Sequence, residues 1–328
     1  MKRREFMILI GTAAMTAPRA GIAQAPARVY RVAVVTPRGL LPESAPYAKL
    51  LLDGLAQRGY TLGQNLGLEG PREAAGQPIE LPRLMEELKA SKVDVIVVVG
   101  YPTAVAAKDA GIPTVVVNGV GDPLATGLVV NLARPEGNIT GISDVATTLS
   151  TKRLGLLKEL LPKLHRVAML WNKDDLGMSL RYAASAKAAE AMGVAVQAVG
   201  VREPDDFDEA FAVMDREPPD AILMVSDSLT ILNRKRVFQY AATHRLPAIY
   251  EYDPLVREGG LMSYGPDLQE SFDRAASMVD RLFKGARPSD LPFEQPTRYL
   301  FVINLKTAKS IGLEIPPNVL ALADEVVE

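Results

Sequence analysis

The chain has no cysteine, two histidines and one tryptophan in 328 residues. Without cysteine there are no disulfides, no thiolate catalysis and no cysteine-ligated metal. His165 precedes an apolar run in KLHRVAML, and His244 closes a helical run in AATHRL, where a cation suits the helix dipole. Neither has a partner at ligand spacing, so no metal site is expected. Charge of one sign is also missing. The net charge is −2, and phosphate binding needs a concentrated basic patch. The basic run NRKRVF at 233–238 has no interleaved aromatics and reads as a solvated helix face.

Catalytic signatures are absent as well. There is no Gly-x-Ser-x-Gly elbow and no phosphate-binding loop. NGVGDPL has Leu124 where a dinucleotide fingerprint needs its third glycine, so no cofactor is expected. The pairs Asp174-Asp175 and Asp205-Asp206 lie at turns or helix starts, where solvation and capping account for them. Nothing singles out a carboxylate pair for glycoside hydrolysis.

The N-terminal 25 residues, MKRREFMILIGTAAMTAPRAGIAQA, have a basic start, an apolar middle and a small-residue end. That pattern predicts a signal peptide over 1–25, removed near Pro26. Arg3-Arg4-Glu5-Phe6 resembles a twin-arginine export signal, the alternative being the general secretion route. The apolar run is shorter than the roughly 20 residues a spanning helix needs, and no later stretch is longer. A soluble periplasmic protein is expected.

From residue 31, apolar runs of strand length alternate with amphipathic runs of helix length. The spacing predicts strands at 31–36, 93–100 and 112–118, with helices at 46–60, 78–92 and 103–111. After residue 150 the alternation restarts, with strands at 166–172, 194–201, 220–227 and 246–251. Helices are predicted at 150–162, 179–193, 204–217, 228–245 and 268–285. The halves echo each other: RVAVVT with RVAMLWN, VDVIVVVG with PDAILMVSD, GIPTVVVN with RLPAIYE. Continuous Val/Ile runs of this kind are buried parallel strands, so two doubly wound α/β lobes are expected. Residues 134–150, 257–267 and the Pro-rich stretch ARPSDLPFEQPT read as breaks between lobes, so the chain is expected to cross more than once. Lobe 1 is then 26–143 plus 266–290, and lobe 2 is 144–265 plus 291–328.

Ligands of open parallel sheets bind beyond the carboxyl ends of the strands. Those ends supply the candidate binding residues: Thr36, Pro37, Tyr101, Pro102, Thr103, Gly121, Asp122, Pro123, Asn172, Asp227, Ser228, Tyr250 and Glu251. Gly119 and Gly121 permit positive φ or close backbone approach. Asp122 either meets a cationic group or only bonds its own turn. Thr103 either caps its helix or lies beside free N–H groups that hold an anion. Tyr250 and Glu251 are strand neighbours, so one of them faces the cleft. Trp171 reads as core and Asn172 as the polar contact.

Four long stretches carry a family resemblance: GIPTVVVNGVGDPLATGLVVNLARPEGNITGIS, KRLGLLKELLPKLHRVAMLWN, RLPAIYEYDPLVREGGLMSYGPD and DLPFEQPTRYLFVINLKTAKSIGLEIPPNVLALADEVVE. In these the chain resembles the ABC-transporter substrate-binding proteins of the periplasmic binding protein type I fold, in the tryptophan/tyrosine-type branch. The resemblance implies two doubly wound lobes joined by a multi-crossover hinge, and a soluble receptor that hands a small solute to a membrane permease and its ATPase; a receptor that must open and shut is expected to be a monomer. It maps Gly121-Asp122-Pro123, Thr103 and Asn172 to the cleft. The chain departs from the family pattern at Lys173, at Asp227-Ser228 and at Glu136. The expected ligand is small, polar and amino-acid-like or aromatic, with Asp122 on a cation, the helix start at Thr103 on an anion and Tyr101 or Tyr250 on an apolar part. The alternatives are a soluble sensor for a membrane receptor and an exported enzyme of related fold.

Overall fold

The computed structural model describes residues 28–71, 80–143 and 146–328. The predicted signal peptide lies outside the described residues.

The first sheet is built from β1 (Tyr30–Thr36), β2 (Gly39–Leu40), β3 (Leu66–Glu69), β4 (Val95–Val99), β5 (Thr114–Asn118) and β6 (Ile139–Gly141). Its helices are α1 (Pro46–Ala56), α2 (Leu81–Ala90) and α3 (Tyr101–Ala110). β3, β1, β4, β5 and β6 lie side by side in that order, all parallel, and β2 adds a short antiparallel flap to the end of β1. The central strands are apolar along most of their length because both faces are covered. Val32, Val34, Val95 and Val97 pack on α1, and the intervening Ala33, Val35, Ile96 and Val98 pack on α2 and α3. This is the period-two alternation of a strand with a core on each side.

The second lobe begins with α4 (Ala146–Leu160), β7 (Arg166–Asn172), α5 (Leu176–Ala191), β8 (Ala195–Val201) and α6 (Asp206–Arg216). It continues with β9 (Ala221–Met224), α7 (Ser228–Leu232), α8 (Arg234–His244), β10 (Ala248–Tyr250), α9 (Asp253–Arg257) and β11 (Met262–Pro266). Next, α10 (Leu268–Phe283) crosses back and packs Phe272, Ala276 and Val279 against Leu51, Leu55 and Val115 of the first sheet. The chain then returns to the second sheet as β12 (Tyr299–Asn304), α11 (Leu305–Ser310), α12 (Pro317–Leu320) and β13 (Glu325–Val327). The order there is β8, β7, β9, β10, β11, β12, β13, with β12 antiparallel to β11.

In strand terms both lobes follow one plan. Each runs second, first, third, fourth, fifth in its own chain order, which is the flavodoxin-like doubly wound arrangement. The echo between the halves is therefore a repeated topology.

Three crossings join the lobes, and they are laced together. Ser143 N–H donates to the Glu294 carbonyl (2.8 Å), and Asp267 N–H to the Arg298 carbonyl (3.0 Å). Arg274 Nε reaches the Glu294 carboxylate at 2.8 Å, and Glu270 accepts from Arg298 N–H at 2.8 Å.

Three local expectations change. The break expected at 257–267 contains β11, whose sequence MSYGP lacks the β-branched signal and is held by the apolar β12 beside it. The break at 134–150 contains β6, seated so closely on β5 that a Cβ on Gly141 would lie 2.2 Å from the Val116 carbonyl oxygen. The helix predicted at 228–245 is two helices meeting at Asn233, whose Nδ2 caps the Leu229 carbonyl at 3.0 Å.

Candidate functional site

A doubly wound sheet has its crevice where strand order reverses, between its first and third strands. In lobe 1 that point lies between β1 and β4, and in lobe 2 between β7 and β9. The residues just past these four strands are Thr36-Pro37, Gly100 to Thr103, Asn172 to Asp175 and Val225 to Ser228.

In lobe 1, Thr36 is buried and its Oγ1 holds the β1–β2 turn, accepting from Arg38 N–H at 3.2 Å. Pro37 is half-buried and backs Gly100, where a Cβ would lie 3.1 Å from the proline ring. Gly100 is the N-cap of α3, so Thr103 is not the cap. Thr103 is fully buried in the helix's first turn, and its Oγ1 has no hydrogen-bond partner. Tyr101 and Pro102 are half-buried, with the Tyr101 hydroxyl donating to the Thr126 carbonyl at 3.3 Å.

In lobe 2, Asn172 Nδ2 donates to Asp227 Oδ2 at 2.7 Å, bridging the ends of β7 and β9. Asp227 caps α7 through Thr230 N–H at 2.8 Å, and Ser228 is half-buried behind it. Ser226 is 1 % exposed, and its Oγ has no partner. Trp171 is core, its ring stacked on Tyr182 at 3.7 Å between centroids.

Tyr250, the last residue of β10, and Glu251 just after it are both turned inward. Tyr250 is buried edge-on to Phe238 (5.2 Å), and burial pushes its hydroxyl pKa up, so it belongs to the core rather than the cleft. Glu251 is 1 % exposed and accepts from Arg153 Nη1 (2.9 Å), Arg181 Nη1 (2.6 Å) and Ser226 N–H (3.2 Å). It organises the lobe 2 floor.

The glycines after β5 have distinct jobs. Gly119, at φ 76°, lies against Gly100, where a Cβ would come 3.1 Å from the Gly100 backbone. Gly121, at φ 68°, reaches the other lobe: a Cβ there would lie 3.1 Å from the Gly177 carbonyl oxygen in the first turn of α5. Gly177 reciprocates, 3.0 Å from the Val120 oxygen by the same measure. The two lobes therefore touch through bare backbone, with the strand ends facing one another. Pro123 is buried in this turn. Asp122 is exposed, and its Oδ1 accepts from Leu124 N–H (2.9 Å) and Ala125 N–H (3.3 Å), the turn-forming alternative for that residue.

The carboxylate that is both buried and at the lobe contact is Asp175, 4 % exposed. It caps α5 by accepting from Met178 N–H at 3.2 Å. Burial, with the Asp227 carboxylate adding to it, pushes its pKa up to about 7, against the lowering effect of the Met178 and Gly177 N–H groups. Across the contact, burial and Asp175 together raise the Tyr101 hydroxyl. In the sequence Asp175 is an ordinary helix cap. What distinguishes it is the pressure of the opposite lobe, which leaves no local mark. Nearer the hinge, Tyr47 of lobe 1 is raised to about 12 by burial and then by Asp253 of lobe 2.

The sequence profile described as ABC transporter substrate binding protein matches residues 46–327. The chain belongs to that family. A tyrosine-binding protein of Clostridioides difficile (strain R20291) is 23 % identical over 268 residues, 81 % of this chain and 76 % of the relative. A conserved domain protein from Vibrio cholerae superposes with a TM-score of 0.81 at 24 % identity, covering 92 % of this chain and 99 % of that one. The ABC domain in complex with L-Trp from Streptococcus pneumonia superposes at 0.79 with 24 % identity, covering 91 % and 100 %. These structures share the two-lobed fold. Among the described residues no helix is long and apolar enough to cross a membrane.

The raised pKa of Asp175 has a consequence for the ligand-free protein. A carboxyl that holds its proton more tightly folded than unfolded loses stability as pH rises from about 4 to about 7. Asp175→Asn keeps the cap, since Asn caps as well as Asp. Its Tm is expected to exceed wild type by about 5 °C or more at pH 8, with the gap closing by about pH 4. A gap equal at both pH values in parallel thermal melts would contradict this.

Proposed function

We propose that the chain is the exported solute receptor of an ABC importer, closing two lobes on one small, polar, amino-acid-like or aromatic molecule and presenting it to a membrane permease and its ATPase. The observation that carries this is the seating of the Val120-Gly121 turn on the start of α5, with the switch-point crevices of both lobes opening onto that contact. Closure of two lobes by hinge motion is the behaviour this architecture supports. The proposed lining is Thr36, Pro37, Tyr101, Pro102 and Thr103 from lobe 1 and Asn172, Asp227 and Ser228 from lobe 2, with Gly121-Asp122-Pro123 on the rim. The tyrosine-binding relative and the L-Trp complex direct the first ligand panel toward aromatic amino acids.

Isothermal calorimetry of purified mature protein against L-tyrosine, L-tryptophan, their des-amino acids and aliphatic amino acids tests the reading. One-to-one saturable heat with at least one member is expected. Chemical conversion of the bound compound, or no heat from any member, would overturn it. Within the same assay, Gly121→Ala should weaken binding by about 5-fold, because its methyl would sit in the lobe contact and oppose closure by about 1 kcal/mol. Unchanged affinity in that variant would show that the turn does not bear on closure.

A further inference from the structure

We propose that Asp175 is the residue that selects a protonated amine on the ligand, so that this receptor takes ammonium-bearing solutes and rejects the same molecules without the amine. The inference rests on the receptor reading above and concerns the chemistry of its site.

The five carboxylates at the strand ends are not equivalent, and Asp174 is exposed. Asp122 is exposed and occupied by its own turn. Glu251 already lies between the guanidinium groups of Arg153 and Arg181. Asp227 accepts from Asn172 Nδ2 and from the Thr230 backbone. Asp175 is buried at the lobe contact, and the groups that act on it are the backbone N–H groups of residues 177 and 178 and the like-charged Asp227. Lys173, close in sequence, turns its side chain toward Gly200 and acts on Asp206. From the other lobe the facing titratable group is the Tyr101 hydroxyl.

An ionised carboxylate buried in this way is costly unless a cation joins it. The raised pKa is the sign of that cost. Two buried hydroxyls without partners, Ser226 Oγ next to Asp227 and Thr103 Oγ1 at the start of α3, mark polar capacity on both lobes that protein atoms leave unused. A protonated amine between the lobes would neutralise Asp175 and relieve its repulsion with Asp227. Binding would then expel the proton that Asp175 holds in the free protein.

The test is calorimetry at pH 7 with L-tyrosine and L-tryptophan against 3-(4-hydroxyphenyl)propionate and indole-3-propionate, each in phosphate and in Tris buffer. The amines are expected to bind about 100-fold or more tightly than the des-amino acids, since only the amine forms a buried, charge-assisted pair with Asp175. Their heats should differ between buffers by the ionisation enthalpy of about half a proton released to buffer. Asp175→Asn should lose the amine preference and the buffer dependence, its fold checked by thermal melting. The wild-type comparison alone decides the matter if that variant does not fold. Equal affinity for amine and des-amino acid in wild type, or amine affinity unchanged in Asp175→Asn, overturns the inference while leaving a receptor in place. No binding by either series overturns the receptor reading and the inference with it.

Discussion

Glu251→Ala is expected to cost about 3–5 kcal/mol and to leave little folded protein at 37 °C, because it removes the carboxylate shared by two buried guanidiniums. Arg153 and Arg181 are each 3 % exposed at the side chain, and Glu251 is 1 % exposed. Neither arginine can reach water without opening α4 or α5. The same carboxylate accepts the Ser226 N–H at the end of β9, while Arg153 Nε donates to the Tyr264 carbonyl in β11 at 2.7 Å. One side chain thus ties α4, α5 and the ends of β9, β10 and β11 together. Removing one partner of a buried pair leaves the opposite charge uncompensated, which costs far more than the pair itself contributes. Denaturant titration of wild type and variant measures the difference. A loss below about 1 kcal/mol, the size of a surface ion pair, would show that solvent reaches the cluster.

Much of the frame is legible in the sequence because buried parallel strands must be apolar on both faces. RVAVVT, VDVIVVVG and RVAMLWN carry that signature, and their echo reflects a shared strand order. What escapes is held by partners remote in sequence. MSYGP becomes a strand because YLFVIN lies antiparallel to it, and ITG because Gly141 lets it lie against Val116. The candidate site divides in the same way. Strand ends can be read from where apolar runs stop, so Thr36, Tyr101, Thr103, Asn172 and Asp227 are found at the switch points. Which way a side chain turns beyond the strand is decided by packing. Tyr250 goes to the core because Phe238 offers an edge for its ring, and Glu251 goes inward because two arginines from separate helices meet there. Asp175 reads as a cap until the other lobe's backbone is brought within contact of Gly177.

Gly265→Ala is expected to be as damaging as loss of Glu251, for a steric reason. Gly265 lies in β11, and a Cβ at that position would sit 1.8 Å from the Glu251 carbonyl oxygen and 3.7 Å from Arg153 Nη2. The obstructing atom is backbone at the end of β10, so no rotamer change relieves the clash. Either β11 shifts away from β10, breaking the parallel pairing of Tyr250 with Ser263, or the residue after β10 moves and takes the Glu251 carboxylate with it. Overpacking of this kind costs about 3 kcal/mol or more where nothing can yield. The second route predicts coupling. In Glu251→Ala the ionic cluster is already lost, so adding Gly265→Ala should cost at least about 1 kcal/mol less than it does in wild type. A double-mutant cycle by urea unfolding measures this, with the milder Glu251→Gln in place of alanine if the starting variant is too unstable. Strict additivity would mean that the clash is absorbed by β11 alone. β11 runs directly into the crossing at Asp267, so in that case the disturbance would pass to the hinge. It would then appear as lost ligand affinity in a protein of otherwise ordinary cluster geometry.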